Sequence, residues 1–339
     1  MPGRHSALTR REAIAGAGAS LACSGARAAT GATLLVTHPA ALAHDMGPTH
    51  VERPERLRAI LHALDDVRFE RLSRVEAPLA PQEALLRAHS SAHLSRLVKS
   101  APSDGYARIG PDVAMNGATH EAALRAAGGA IAAVDAVMRG DAKNAFVAMR
   151  PPGHHATRDT PMGFCFLNNA AVAALHARAA HQASRVAIVD FDVHHGNGVQ
   201  EIFWSDRNAF YASTHQMPLY PGTGAVGETG AHDTIVNAPL VKGDGGAQFR
   251  EALASRILPR LDAFSPDIII FCAGFDAHLH DPLGGLRLVA DDFRDVTLHV
   301  MEIAARRCSG RIVSLLEGGY RPEDLARSVA AHVGTLMEA

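Results

Sequence analysis

A chain of 339 residues, 47% hydrophobic and 20% charged, can bury a large core, and one α/β domain of that length is ordinary. A formal net charge of −2 argues against a general nucleic-acid binder. Cys23, Cys165, Cys272 and Cys308 include no CxxC pair, which argues against a thiolate zinc site or a disulfide framework, while 20 histidines leave imidazole metal chemistry open.

Residues 1–30 read as a targeting segment. Thr9-Arg10-Arg11 precedes a Gly/Ala-rich apolar stretch over 13–22, and Ala26-Arg27-Ala28 is a small-x-small cleavage pattern. Twin arginines before a weakly apolar run predict a twin-arginine signal over 1–30 and an exported, periplasmic domain over 31–339, with cleavage at Ala28 left open. A strand is expected over 32–37, and a helix from Pro54 with apolar positions at Leu57, Ile60, Leu61 and Leu64. Helices follow over 81–89, 90–98 and 118–139, the last closed by Gly140. Strand and helix then alternate: strands over 145–149, 186–191, 210–213, 268–272 and 311–316, helices over 168–180, 249–261, 291–305 and 322–337. Continuous apolar strands separated by helices predict an α/β fold, a single-domain open parallel sheet with helices on both faces. The mature part shows no transmembrane span.

The strand ends carry the chemistry. After 145–149 comes Arg150-Pro-Pro-Gly-His-His155, and the run over 186–191 leads into Asp190, Asp192 and His194. Those three alternate at period two, which puts them on one face of an extended strand. The strand over 268–272 leads into Ala273-Gly-Phe-Asp276, and that over 311–316 into Glu317-Gly-Gly-Tyr320. Parallel strands gather all these loops on one edge, where ligands bind in such folds. Asp192, His194 and Asp276 can supply three metal ligands and leave positions open for water and substrate. His154 and His155 suit general acid-base work, Asp190 and Asn197 can each orient an imidazole, and Tyr320 can donate to an oxyanion. Taken singly, each of these residues has an ordinary structural use: a strand-end Asp as a helix cap, a Tyr as packing. Their placement together at successive strand ends makes metal-assisted hydrolysis the better reading.

These residues, with His50-Val-Glu-Arg-Pro-Glu-Arg-Leu57, Gly163-Phe-Cys-Phe166, Pro221-Gly-Thr-Gly224 and Asp281-Pro282, resemble the histone deacetylase family of the arginase/deacetylase fold. The match runs from about residue 32 to the C-terminus, and His-His-Gly-Asn-Gly198 looks like the class II branch and its bacterial amidohydrolase relatives. The resemblance implies one Zn2+ on Asp192, His194 and Asp276, the His154/His155 pair, and Tyr320 facing the oxyanion. It further implies Gly163, Phe164 and Tyr220 lining a narrow acyl-lysine tunnel, Asp112 at its rim, and a structural K+ near Asp190, Asp192, His194, Ser213 and Thr214. Val51 departs from the proline usual after His50. Leu283 stands where polyamine-selective relatives carry an acidic gatekeeper.

The function expected is a zinc-dependent deacetylase or amidohydrolase acting on acetyl-lysine or small N-acetylated amines, with no nucleic-acid partner. Acetylpolyamine hydrolysis and a non-catalytic exported binding protein are the alternatives, and a homo-oligomer is left open. A manganese ureohydrolase of the same fold would need a second metal set, against which the single Asp-x-Asp-x-His-His run argues.

Overall fold

The structure, a computed structural model, describes residue 3 and residues 32–339, so the expected signal segment and the candidate cleavage site at Ala28 lie outside the described residues. The strands, the inner ones rich in Val, Ile, Leu and Phe, are β1 (Thr33–Thr37), β2 (Ser73–Glu76), β3 (Ala107–Arg108), β4 (Ala114–Met115), β5 (Asn144–Val147), β6 (Val186–Asp190), β7 (Ala209–Gln216), β8 (Ile235–Leu240), β9 (Ile268–Ala273) and β10 (Ile312–Leu316). Eight of them make one sheet in the order β2-β1-β5-β10-β9-β6-β7-β8, and β3 and β4 form a separate two-stranded ribbon. Every neighbouring pair in the large sheet is parallel. The expected open parallel sheet is therefore what the chain builds.

Both faces of the sheet are covered, because consecutive strand residues point to opposite sides. Val147 meets the helix Thr119–Arg139, where Gly129 sits so close that a Cβ there would lie 3.2 Å from both Val147 and Val36. Phe146 instead meets the His332 ring, 5.8 Å away on the helix Pro322–Met337. All six residues of β9 are buried, as a strand covered on both sides requires. No helix among the described residues is long and apolar enough to cross a membrane.

The differences from the expected elements have local causes. β2 was not expected because it is a half-exposed edge strand with a single apolar residue, Val75. β8 was not expected because Asn237 and Pro239 interrupt its pattern. β7 runs past Ser213 through the polar but buried Thr214, His215 and Gln216. The helix expected over 249–261 is Gly246–Ala252, a π-helical turn Leu253–Ile257, and Leu258–Phe264. Pro259 accounts for the break, since it lacks an N–H and its ring crowds the carbonyl four residues earlier.

Candidate active site

β6 ends at Asp190, so Asp192 and His194 are not placed by strand alternation but by the turn beyond it. Each aspartate accepts a backbone N–H two residues on: Asp192 N donates to Asp190 Oδ1 at 3.1 Å, and His194 N to Asp192 Oδ1 at 2.9 Å. Such self-stabilised Asx turns explain why the polar residues alternate without an extended backbone. Asp276, beyond β9, is tied to the same turn by the N–H of Val193 at 2.8 Å. Gly318, beyond β10, donates its N–H to Asp192 Oδ2 at 2.8 Å. A Cβ at Gly318 would fall 2.1 Å from Asp276 Oδ2, and one at Gly274 would fall 2.0 Å from Asp192 Oδ2. Only glycine lets these two loops close around the carboxylates.

The result is a buried cluster in which the candidate ligand atoms of Asp192, His194 and Asp276 lie within 4.8 Å of one another. His194 Nδ1 stands 3.1 Å from Asp192 Oδ1 and 3.0 Å from Asp276 Oδ2. Burial disfavours charge on His194, but the two carboxylates outweigh it and hold its pKa up at about 10. Burial, with the charge of Asp192, pushes Asp276 up to about 7. Two buried carboxylates aimed at one point call for a cation between them, and one nitrogen with two oxygens is a donor set that zinc accepts. The residues fit the implied metal.

The two adjacent histidines have opposite surroundings. His154 Nδ1 donates to Asp190 Oδ2 at 2.9 Å, and that oxygen also accepts the Tyr211 hydroxyl at 3.0 Å. Burial works against a charged His154, yet Asp190, Asp192 and Glu317 outweigh it and hold the imidazole well above its ordinary pKa. His155 Nδ1 donates to the neutral Asn197 Oδ1 at 2.8 Å. Burial and the charges of His154 and His194 push His155 well below its ordinary value. The rings are 4.0 Å apart, one favouring the cation and the other the neutral base.

His155, His194 and Tyr320 line a cavity of about 400 Å³ together with Asp112, Gly163, Phe164, Leu219, Tyr220 and Leu283. Gly163 adopts φ 56°, and a Cβ there would strike the His155 ring at 2.2 Å. Phe164 packs edge-on against His50 at 4.7 Å and Tyr320 at 5.9 Å, while Tyr220 stands 5.1 Å from the His155 ring on another side. Asp112 accepts the Gly163 N–H at 2.9 Å. Burial and Asp276 raise the Tyr320 phenol well above 10, against the pull of Arg56, so it remains an O–H donor. Ser213 Oγ shares a hydrogen bond with His215 Nδ1 at 2.9 Å, and Thr214 Oγ1 is buried without a hydrogen-bond partner.

Several residues without a role in the sequence reading hold this site. Glu317 Oε2 accepts the N–H groups of Gly153 at 2.7 Å and His154 at 3.1 Å, clamping the tandem histidines from below. Arg56, fully buried, donates to the carbonyls of Gly319 and Glu317 and lies 4.8 Å over the Tyr320 ring. Glu52 pairs with both Arg56 and Arg150. Asp281 accepts the Tyr320 N–H at 2.7 Å. The sequence motifs contained all of these residues, but nothing in a sequence tells a buried ion pair from a solvated one.

A Histone deacetylase domain model matches residues 50–336. The chain belongs to the histone deacetylase family. The chain is 41% identical over 276 residues to a histone deacetylase-like amidohydrolase of Pseudomonas aeruginosa, covering 80% of this chain and 72% of the relative. It is 37% identical to a probable deacetylase of Archaeoglobus fulgidus, covering 86% and 82% of the two chains. The solved HDA15 HD domain superposes with a TM-score of 0.87 at 36% identity, covering 91% of this chain and 89% of that one. As a histone deacetylase family member the protein falls among the deacetylases and amidohydrolases, hydrolases that act on amides.

Proposed function

We propose that this family member is a zinc-dependent deacylase that cleaves an N-acyl amide, such as acetyl-lysine or a small acetylated amine, to amine and carboxylate. One observation carries the reading. The three-ligand cluster, a neutral imidazole and a protonated phenol all meet at the inner end of one cavity.

Asp192, His194 and Asp276 would hold the zinc. Bound there, the ion supplies Lewis acidity toward the scissile carbonyl and a water. His155, neutral and with Nδ1–H fixed on Asn197, presents Nε2 as the base that takes a proton from the attacking water. The same nitrogen returns the proton to the leaving amine. His154 stays cationic on Asp190 and stabilises negative charge developing beside it. Tyr320 donates its O–H to the oxyanion. Phe164 and Tyr220 exclude water from the acyl chain, and Asp112 at the rim offers a carboxylate to a substrate N–H. A potassium ion against Asp190, Asp192, His194, Ser213 and Thr214 belongs to the same proposal, and the unpartnered Thr214 Oγ1 is compatible with it.

Zinc-loaded protein should release acetate from an acetyl-lysine peptide, lose activity with a chelator and regain it with zinc. Absence of turnover in a folded, zinc-loaded preparation would refute the assignment. The twin-arginine pattern at Arg10-Arg11 supports export to the periplasm. Arg10→Lys with Arg11→Lys should then retain the protein in the cytoplasmic fraction.

A further inference from the structure

Three clusters among the described residues bring three metal-ligating groups within 4.8 Å of one another. One is the catalytic set. A second, His278, His280 and Asp324, already carries its own cations: Asp324 pairs with Arg327 and stands 4.0 Å from Arg321. The third lies away from the strand ends, in the helical layer. It joins Asp135 of the helix Thr119–Arg139 to His176 and His181 of the helix Asn169–His181.

The convergence of this third set is not a by-product of helix geometry. Residues five apart on an α-helix are separated by about 140° around its axis, so they do not share a face. Both imidazoles nevertheless turn Nε2 onto the same oxygen, Asp135 Oδ1, at 2.8 Å from His176 and 2.6 Å from His181. His181 is the last helical residue, and Gln182 at φ 56° ends the helix there, which frees the His181 side chain to swing back. The nearest guanidinium pairs with Asp135 only at long range and makes no hydrogen bond to it. Arg139 donates Nε to Asp141 at 2.9 Å and stands 3.8 Å from the other Asp135 oxygen. The side chains of His176, His181 and Asp135 are 13%, 16% and 30% exposed, sheltered yet open to an ion from solvent.

We propose that Asp135, His176 and His181 form a second divalent-metal site, suited to a zinc-class ion that accepts two imidazole nitrogens and one carboxylate oxygen. It has the converging pattern of the catalytic cluster with the composition inverted. There one imidazole faces two carboxylates; here one carboxylate faces two imidazoles. With one negative charge fewer, the outer site binds the same ion more weakly. Occupied, it ties two packed helices together and stabilises the fold in proportion to free metal.

The test is a zinc titration of the metal-free protein against a chromophoric chelator, on the parent, His181→Gln, Asp135→Asn and, separately, Asp276→Asn. The parent should take up a tight and a weaker equivalent. His181→Gln sits at a helix end, and Asp135→Asn keeps an acceptor for both imidazoles, so both variants should fold. Each should weaken the second equivalent by roughly tenfold or more. Turnover on the first equivalent should be unchanged. Zinc beyond the first equivalent should raise the unfolding temperature of the parent but not of these two variants. Asp276→Asn should lose only the tight equivalent, so failure of the catalytic assignment is read independently of this one. If His181→Gln and Asp135→Asn titrate and melt like the parent, the outer site is overturned.

Discussion

The floor and the mouth of the candidate active-site cavity are built on opposite principles. The floor is buried and crowded with charge, and nearly every group is held twice: Asp190 by His154 and Tyr211, Asp192 by His194 and Gly318. The mouth is apolar and partly open, with Phe164, Leu219, Tyr220 and Leu283 around one carboxylate, Asp112. A floor built this way tolerates no change of charge or position, because removing one partner strands another buried charge. A mouth of apolar side chains can change with only modest loss. The chemistry should therefore be fixed by the floor and the substrate choice by the mouth.

The strongest way to break this contrast is at the floor. His155→Ala should still fold and lower kcat by about 10²–10⁴, the usual contribution of a general base. A variant within twofold of the parent in steady-state assays would remove His155 from the chemistry. Tyr320→Phe should lower kcat by about 10²–10³ with little change in KM, as for loss of an oxyanion donor. Asp190→Asn should cost about 10–100-fold, the range for a residue that orients a catalytic partner. Because Asp190 helps hold His154 well above its ordinary pKa, this variant should also move the alkaline limb of the kcat/KM profile to lower pH. An unmoved limb would show that His154 is not the group titrating there.

At the mouth the effect should be smaller and selective. Leu283→Glu should change the ratio of acetylpolyamine to acetyl-lysine hydrolysis by about tenfold or less in favour of the cationic substrate, since one exposed charge contributes about 1 kcal/mol. Equal loss on both substrates would sharpen the contrast differently, by making Leu283 part of the floor. The smallest effect on activity, and a clear one on stability, concerns histidines outside both regions. Burial lowers His332 to about 3 and His89, helped by His93, to about 4, both from an ordinary 6.5. Their folded pKa values lie below the unfolded one, so the unfolded chain binds more protons as pH falls. Stability should be full above about pH 6.5 and decline toward pH 4, and His332→Gln should flatten that decline in thermal melts.

How much of this was legible in the sequence follows the same division. The central strands announced themselves because β6 and β9 are apolar runs and β10 is broken only by Ser314, and their polar ends marked the edge that carries the candidate site. The edge strands β2 and β8 did not, since only contact with a neighbour makes such mixed segments into strands. Asp192 and His194 were singled out through an alternation that the backbone does not follow. The period-two spacing is that of successive Asx turns, which mimics a strand in one dimension. Glu317 and Arg56 were within view but without a role, because their importance lies in burial and in pairing over long sequence distances.

The strand order carries one last consequence. β10 follows every other strand of the sheet in sequence, yet it lies inside the sheet between β5 and β9, and the loop after it brings Glu317, Gly318 and Tyr320 to the floor. During synthesis every other strand of the sheet leaves the ribosome before this one can insert. In the finished sheet β10 lies between the strands that carry the histidine loop, after β5, and the aspartate loop, after β9. A chain that stops before β10 lacks Glu317, Gly318 and Tyr320 and so cannot complete the floor of the cavity.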